Sequence, residues 1–418
     1  MRFLILLTIA TFFSGMALAQ ETPLPSSIAY IGTDYNVYTL SEGNQFQLTT
    51  DGSTARAYQW LTWSNDGRLS YFCCDLRTAS TAETVTYISS DGKTAGEEVL
   101  RTNGQSVIYA YWSPNTCGDA ENCRDLVLLV NNISNGSLSL EVVRDTNTGE
   151  QNFTLGTGSP FYYSFSPNGD NLLFHRDNQV LDVFSISENR VVRAFRELSS
   201  GSFQSPSWSP TDERLLIGLQ GASRGETNLV IIDGETETII AEGLQGLTSF
   251  SWSPNGRYVA YREISNRLYG SLTIIDTLTG EEVAKNTIEG VLAFFWSPDS
   301  EKIAYVGLRR TGSSVGVNNV TVGMQTNSVS LGWGVLNIVS GINLALDTFV
   351  PTYEMGYMMS YFDQFSQSHR IWSPDSRFIV YSALEGEEEK PIIAILDIDA
   401  QGSSKTIAEG VFAVWSFE

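Results

Sequence analysis

The stretch F-S-W-S-P-N-G-R-Y-V-A-Y (250–261) encodes two strands and the tight turn between them. Pro254 presets φ at the second turn position, Asn255 tolerates the third, and Gly256 fits the exit. Val259 and Tyr261 lie two residues apart, hence on one face of the second strand. S-L-T-I-I-D (271–276) reads as a third strand, and T-L-T-G (277–280) turns the chain into a fourth. Tight turns joining alternating runs make an antiparallel meander.

The unit recurs. W-S-P-N stands at Trp112 and Trp252, W-S-P-D at Trp296 and Trp372, and W-S-P-T at Trp208; weaker copies stand at Trp63, Phe165 and Trp415. Successive anchors are 49, 53, 43, 44, 44, 76 and 43 residues apart. Seven and nine residues after the anchor come Val259 and Tyr261, Ile303 and Tyr305, Ile379 and Tyr381, Leu215 and Ile217, and Leu172 and Phe174. The Trp112 copy joins this register once seven extra residues are set aside, so that Leu126 aligns with Val259. The anchor ring should fill the gap between neighbouring units. A repeat near 43 residues predicts an all-β, closed β-propeller of four-stranded antiparallel blades. Ile28–Ile31 matches a second strand without its inner neighbour, and Val411–Trp415 an inner strand with nothing after it. Joining them closes the ring and gives eight blades, with seven as the alternative if a weak copy is not a blade.

The W-S-P-D-G-like turn followed by I-A-Y-like strands resembles the repeat of the TolB-type, WD40-like propeller family, and it covers nearly the whole chain. TolB proteins carry a smaller α/β domain before the propeller, and prolyl-oligopeptidase relatives a hydrolase domain beside it. The first strand expected here starts at Ile28, eight residues after the expected mature start at Gln20. Neither extra domain is therefore expected, and neither Tol-system membership nor peptidase activity follows from the resemblance.

Residues 1–19 read as a cleavable targeting signal, with Arg2, an apolar run from Phe3 to Phe13, and Ala17-Leu18-Ala19 at the cleavage site. The run is shorter than a membrane span requires. The expected product is exported, secreted or periplasmic, with the propeller over residues 20–418. A formal net charge of −22 argues against nucleic acid or anionic membrane as partners. Cys117 and Cys123 flank one extended turn and are expected to form a disulfide. Cys73 and Cys74 fall on the opposite rim, either free or joined as neighbours; the distance rules out a zinc site of all four.

Catalytic machinery is hard to find. G-A-S-R-G (221–225) has the spacing of a hydrolase elbow, but it joins two strands and so reads as a turn. With only two histidines, His175 and His369, an H-E-x-x-H helix and a multi-histidine metal site are excluded, and each histidine reads as a polar satisfier. D-I-D-A-Q-G (397–402) lacks the later ligands of a calcium loop. No metal or cofactor is expected.

Two features stand out from the repeat. Arg68, Arg124, Arg214, Arg257, Lys302 and Arg377 share a position just after the tight turn, where bridges to turn carboxylates of the next blade are expected. Arg77, Arg176, Arg224, Arg262, Arg309 and Arg310 end second strands on the opposite rim, beside Asp75, Asp177, Glu226 and Glu263. The second feature is the 76-residue interval before Trp372, read as an apolar insertion at about 309–368. Between Thr311 and Ser368 its only charged residues are Asp347, Glu354 and Asp363, while methionines and aromatics crowd it. A short helix started by Pro351 would put Tyr353, Tyr357 and Tyr361 on one stripe and Met355, Met358 and Met359 on another. Such a segment either packs down on the blade rim or plugs the channel, or it offers a recognition platform, which would leave Tyr357, Met358 and Tyr361 exposed.

The candidate binding residues are Arg262, Arg309, Arg310, His175, Tyr353, Tyr357, Met358, Tyr361, Asp363 and His369. The leading expectation is a binding or scaffold module without catalysis, its partner another protein or a small ligand at the channel mouth. The alternative is an enzyme whose channel-mouth loops act on a carbohydrate or an acidic metabolite.

Overall fold

A computed structural model describes residues 23–417 except 76–82, 118–122, 146–150, 178–179, 196–203, 265–269, 284–287, 311–328 and 401, and leaves aside the side chains of residues 74, 75, 151, 310 and 329. The targeting segment, Arg77 and the side chains of Cys74, Asp75 and Arg310 thus lie outside the described residues. What is described is nearly all strand, with two short helices, α1 (Tyr353–Ser360) and α2 (Phe362–Phe365).

Four sheets have four strands each, in sequential meander order, over residues 56–103, 105–158, 161–194 and 207–245. Elsewhere hydrogen bonds run on from one meander into the next. The strands from Leu247–Trp252 to Ser403–Trp415, and on to Ile28–Gly32 and its two successors, form a 13-stranded run.

The anchor register is common to these meanders. Trp252 faces Val259 and Phe250 faces Tyr261; Trp296 faces Ile303 and Phe294 faces Tyr305; Phe165 faces Leu172 and Trp208 faces Leu215. Trp112 faces Leu126, so the register is kept across the extra residues. Cys117 and Cys123, on either side of 118–122, form a disulfide, their Cα atoms 5.2 Å apart. The same register joins the two ends of the chain: Ile28 faces Trp415 and Tyr30 faces Ala413.

The turn explains why W-S-P-N recurs. Ser253 Oγ accepts the amide of Tyr258 at 2.9 Å and donates to Asn255 Oδ1 at 2.7 Å. Ser297 and Ser373 accept from Lys302 and Phe378 in the same way. The exit residue is left-handed, with φ 67° at Gly256, the conformation that favours glycine. The anchor does more than fill a gap. The indole Nε1 atoms of Trp112, Trp252 and Trp372 donate to the carbonyls of Thr62, Ser207 and Phe295 on the preceding meander, at 3.1, 3.3 and 3.0 Å. Asn65 and Asn115 donate to the carbonyls of Pro114 and Pro167 on the following one, at 2.9 and 3.0 Å. The Trp112 copy thus joins its meander to both neighbours, whereas the indoles of Trp63, Trp208, Trp296 and Trp415 fill space without such a bond among the described residues.

Two expectations need correction. The post-turn cations mostly pair within their own meander: Arg257 with Asp276 and Arg377 with Asp397, both at 2.7 Å, and Lys302 with Asp299 at 2.9 Å. For Arg257 and Arg377 the carboxylate at the end of the third strand is nearer than the next turn, and for Lys302 it is the carboxylate of its own turn. Among the described residues, Arg68 to Asp145, at 3.5 Å, and Arg124 to Asp66, at 3.2 Å, cross between meanders, and Arg214 donates to the Gly256 carbonyl of the following meander at 2.7 Å. The 309–368 interval is also no continuous insertion. Val329–Asn337 and Asn343–Pro351 are ordinary third and fourth strands, in which Trp333 and Phe349 stack at 5.5 Å. Of the excess residues, 311–328 lie outside the described chain and 352–369 carry the helices.

Candidate functional site

Residues 352–372 pack against strands of several meanders. Thr352 caps α1, its Oγ1 accepting the Met355 amide at 3.3 Å. Pro351 instead ends the preceding strand. The helical periods then sort the side chains. Met355, Met358 and Met359 are buried, whereas Tyr353 is 80% and Tyr361 40% exposed. Tyr357 is half-buried against Trp60, with ring centroids 5.1 Å apart. Burial of Met358 removes one of the three exposed side chains that a recognition platform here would require.

From α2 the chain descends past the inner strands. Phe362 lies edge-on to Phe294 at 4.7 Å, and Phe365 contacts Trp60 and Tyr109, each at 5.2 Å. Gln364 acts as a strand-like partner for Tyr163: its Oε1 accepts the Tyr163 amide at 3.1 Å and its Nε2 donates to the Tyr163 carbonyl at 2.9 Å. Its own carbonyl accepts the Tyr109 hydroxyl at 3.0 Å. Lower down, His369 Nε2 lies 3.1 Å from Thr62 Oγ1, and Nδ1 lies 2.6 Å from Ser368 Oγ. The helices and their exit thus pack as a plug among strands of separate meanders.

The candidate residues therefore divide. Arg262 is buried with its guanidinium 4.8 Å from the Phe362 ring centroid, and Asp363 is buried on the plug, its Oδ2 accepting the Ser205 amide at 3.4 Å. Burial lowers the Arg262 pKa to about 10 against the pull of Asp363, and burial raises the Asp363 carboxyl against the opposing pull of Arg262. His175 is buried on its strand, Nδ1 lying 2.8 Å from the Gln204 carbonyl. Arg309 donates to the Trp333 carbonyl at 3.1 Å, away from these groups. Arg176 lies beside Asp177 and Asp182, at 3.7 and 3.8 Å, so that part of the rim is locally paired.

Burial holds His369 neutral, its pKa pushed down to about 3, and lowers that of His175 as well. A folded-state pKa below the unfolded value of about 6.5 means that the unfolded chain binds the extra proton. This contribution to stability is present above about pH 6.5 and is lost as pH falls toward 3, by at most about 1.4 kcal/mol per unit per histidine. Asp363 acts with the opposite sign, favouring the fold at low pH and losing that contribution as pH rises. His369→Gln should thus lose less stability than the parent on acidification from pH 7 to pH 5. Urea midpoints at the two pH values check this; equal losses in both proteins would show that His369 is not the acid-sensitive group.

A pocket of about 370 Å³ lies among the tight turns, walled by anchor rings from Trp63 to Trp372 and by their prolines. The plug's exit, residues 366–371, forms its inner wall, and Phe417 also lines it. Among the described residues lining it there is one cation, Arg370, and no aspartate or glutamate. The Arg370 guanidinium sits 3.9 Å from the Phe417 ring centroid, and burial lowers its pKa to about 10. Sequence reasoning missed Arg370 because it looked at second-strand ends, and this residue precedes an anchor by two positions.

Similar solved structures include TolB from Acinetobacter baumannii (15% identity, 87% of this chain and 83% of that one, TM-score 0.40). An oligogalacturonate lyase in complex with manganese matches at 14% identity, over 85% and 86% of the two chains, with TM-score 0.47. The C-terminal WD40 domain of Sif2 matches at 13%, over 82% and 84%, with TM-score 0.46. No family model matches the sequence, and no curated protein matches it. Among the described residues no helix is long and apolar enough to cross a membrane.

Proposed function

We propose that this chain is an exported, eight-bladed β-propeller that binds a partner protein or a small ligand at the open end of its channel, without catalysis of its own. The observation that carries this reading is the asymmetry of the channel. One end is filled by α1 and α2, while the other keeps a pocket walled by the repeat's own rings. Eight anchors along the sequence, six of them in a common register, support the blade count, and the pairing of Ile28 with Trp415 supports closure between the chain's two ends. A secreted or periplasmic location rests on residues 1–19 of the sequence.

An enzyme acting on carbohydrate or acidic metabolites would need converging acid and base groups. The described pocket wall contributes no carboxylate, and both nitrogens of His369 lie within hydrogen-bond distance of hydroxyls. The test uses Ser366→Trp, which fills the pocket from a half-buried position at the end of α2. Its melting temperature should match the parent's, and it should fail to retain a partner that the parent recovers from the exported fraction. Equal recovery by both proteins would place binding elsewhere. Turnover of oligogalacturonides or sugar lactones by the parent and not by Ser366→Trp would replace the binding module with an enzyme.

A further inference from the structure

We infer that Arg370 makes the open pocket a receptor for a carboxylate carried on a compact apolar or aromatic body, either a small organic acid or the C-terminal residue of a partner polypeptide. The inference rests on the binding reading above and names the chemistry of that site.

Arg370 stands on a fixed backbone. Its carbonyl accepts the Trp415 amide at 2.8 Å, and the carbonyl of Ile371 accepts the Val380 amide at 2.8 Å. The segment is thereby held from both sides, which preorganises the side chain it carries. The charge itself is not matched in the usual way. Arg257 and Arg377 each have a carboxylate at 2.7 Å. No carboxylate among the described residues lies within 4.0 Å of Arg370. A half-buried guanidinium with no counter-ion among the described residues costs stability, and its presence in a pocket marks a place where an anion is accepted.

The surroundings narrow the class of anion. Phe417 covers one side of the guanidinium, and anchor rings form the wall, so the body of the ligand meets apolar surface. Tyr111 shares the wall; burial raises its pKa to about 12, against the pull of Arg370, so it remains a neutral hydroxyl. The planar fork of one arginine matches one carboxylate with two parallel hydrogen bonds, whereas a phosphate dianion would leave charge uncompensated. A volume of about 370 Å³ is at the small end of ligand pockets, enough for one ring or one residue. The chain's formal charge of −22 leaves little else on the molecule to attract an anion.

Tryptophan fluorescence and calorimetry on the full chain test the assignment, with phenylacetate, phenylacetamide, inorganic phosphate, and a short peptide ending in phenylalanine as the free acid and as the amide. The two acids should quench saturably, and the amides should bind at least about tenfold more weakly. Arg370→Gln should weaken both acids by a similar factor while melting at the parent's temperature or slightly above it. A peptide acid binding far more tightly than phenylacetate identifies a polypeptide terminus as the natural source, and the reverse order identifies a small acid. The inference is overturned if amides bind as well as acids, if Arg370→Gln binds them unchanged, or if no acid saturates. Phosphate binding as tightly as phenylacetate would reduce the site to a general anion site and overturn the assigned class. A melting temperature several degrees lower in Arg370→Gln would make the residue structural and overturn it too. None of these outcomes bears on turnover, so the binding reading and this assignment fail by different results.

Discussion

Ending the chain at Gly410 should yield a protein that aggregates and shows no cooperative melting transition. The lost segment includes Phe412, Ala413, Val414 and Trp415, all buried. Truncating a single buried Phe or Trp typically costs about 3–5 kcal/mol. Two such losses together rival the entire stability of an ordinary domain, about 5–15 kcal/mol. The backbone loss compounds this. Ile28–Gly32 would lose the strand it pairs with, leaving an apolar, fully buried strand with an open edge, the usual template for aggregation. Trp60 would lose Phe412, which packs edge-on to it at 5.8 Å. Size-exclusion chromatography and calorimetry decide the matter. A truncated protein that stays monomeric and melts like the parent would show that this pairing is dispensable and would remove the support for closure.

The strands were legible because their signal is local and repeated. A W-S-P-N turn announces itself in four residues, and Trp112 still faces the residue equivalent to Val259, Leu126, once the seven extra residues between them are set aside. The helix over 353–360 was legible through its tyrosine and methionine stripes, although the cap is Thr352 and not Pro351. What could not be read was the partner of each stripe. The surfaces that bury Met355 and Met358 come from inner strands far apart in sequence, which only the assembled channel brings together. The long interval was misjudged for a related reason. Val329–Asn337 and Asn343–Pro351 lack the tight W-S-P turn and are low in charge, so regular strands resembled insertion. The pocket escaped notice because its walls are the repeat itself: residues read as fold-making turn out to line the site, and the odd residue among them, Arg370, has no motif of its own.

Phe362→Ala should lower the melting temperature by several degrees, with a loss of about 3–5 kcal/mol as expected for a buried phenylalanine. Phe362 is fully buried where α2 meets the inner strands, edge-on to Phe294 at 4.7 Å and 6.1 Å from Phe295. It also covers Arg262, a buried cation whose pKa is already depressed by desolvation. Removing the ring leaves a cavity and takes away the aromatic face on that charge, two costs with the same sign. Tyr353→Ser in the first turn of α1 supplies the control. That side chain is 80% exposed, and its loss should stay within about 0.5 kcal/mol. A plug therefore predicts a large effect at Phe362 and almost none at Tyr353. A detachable surface platform predicts little effect at either. If Phe362→Ala melts with the parent, the helices rest on the channel without belonging to its core. The large loss would instead identify them as a hub, since Gln364, His369 and Phe362 meet strands from separate meanders through Tyr163, Thr62 and Phe294. Stability of the open pocket would then depend on the plug, because residues 366–371 are both the plug's exit and the pocket's inner wall.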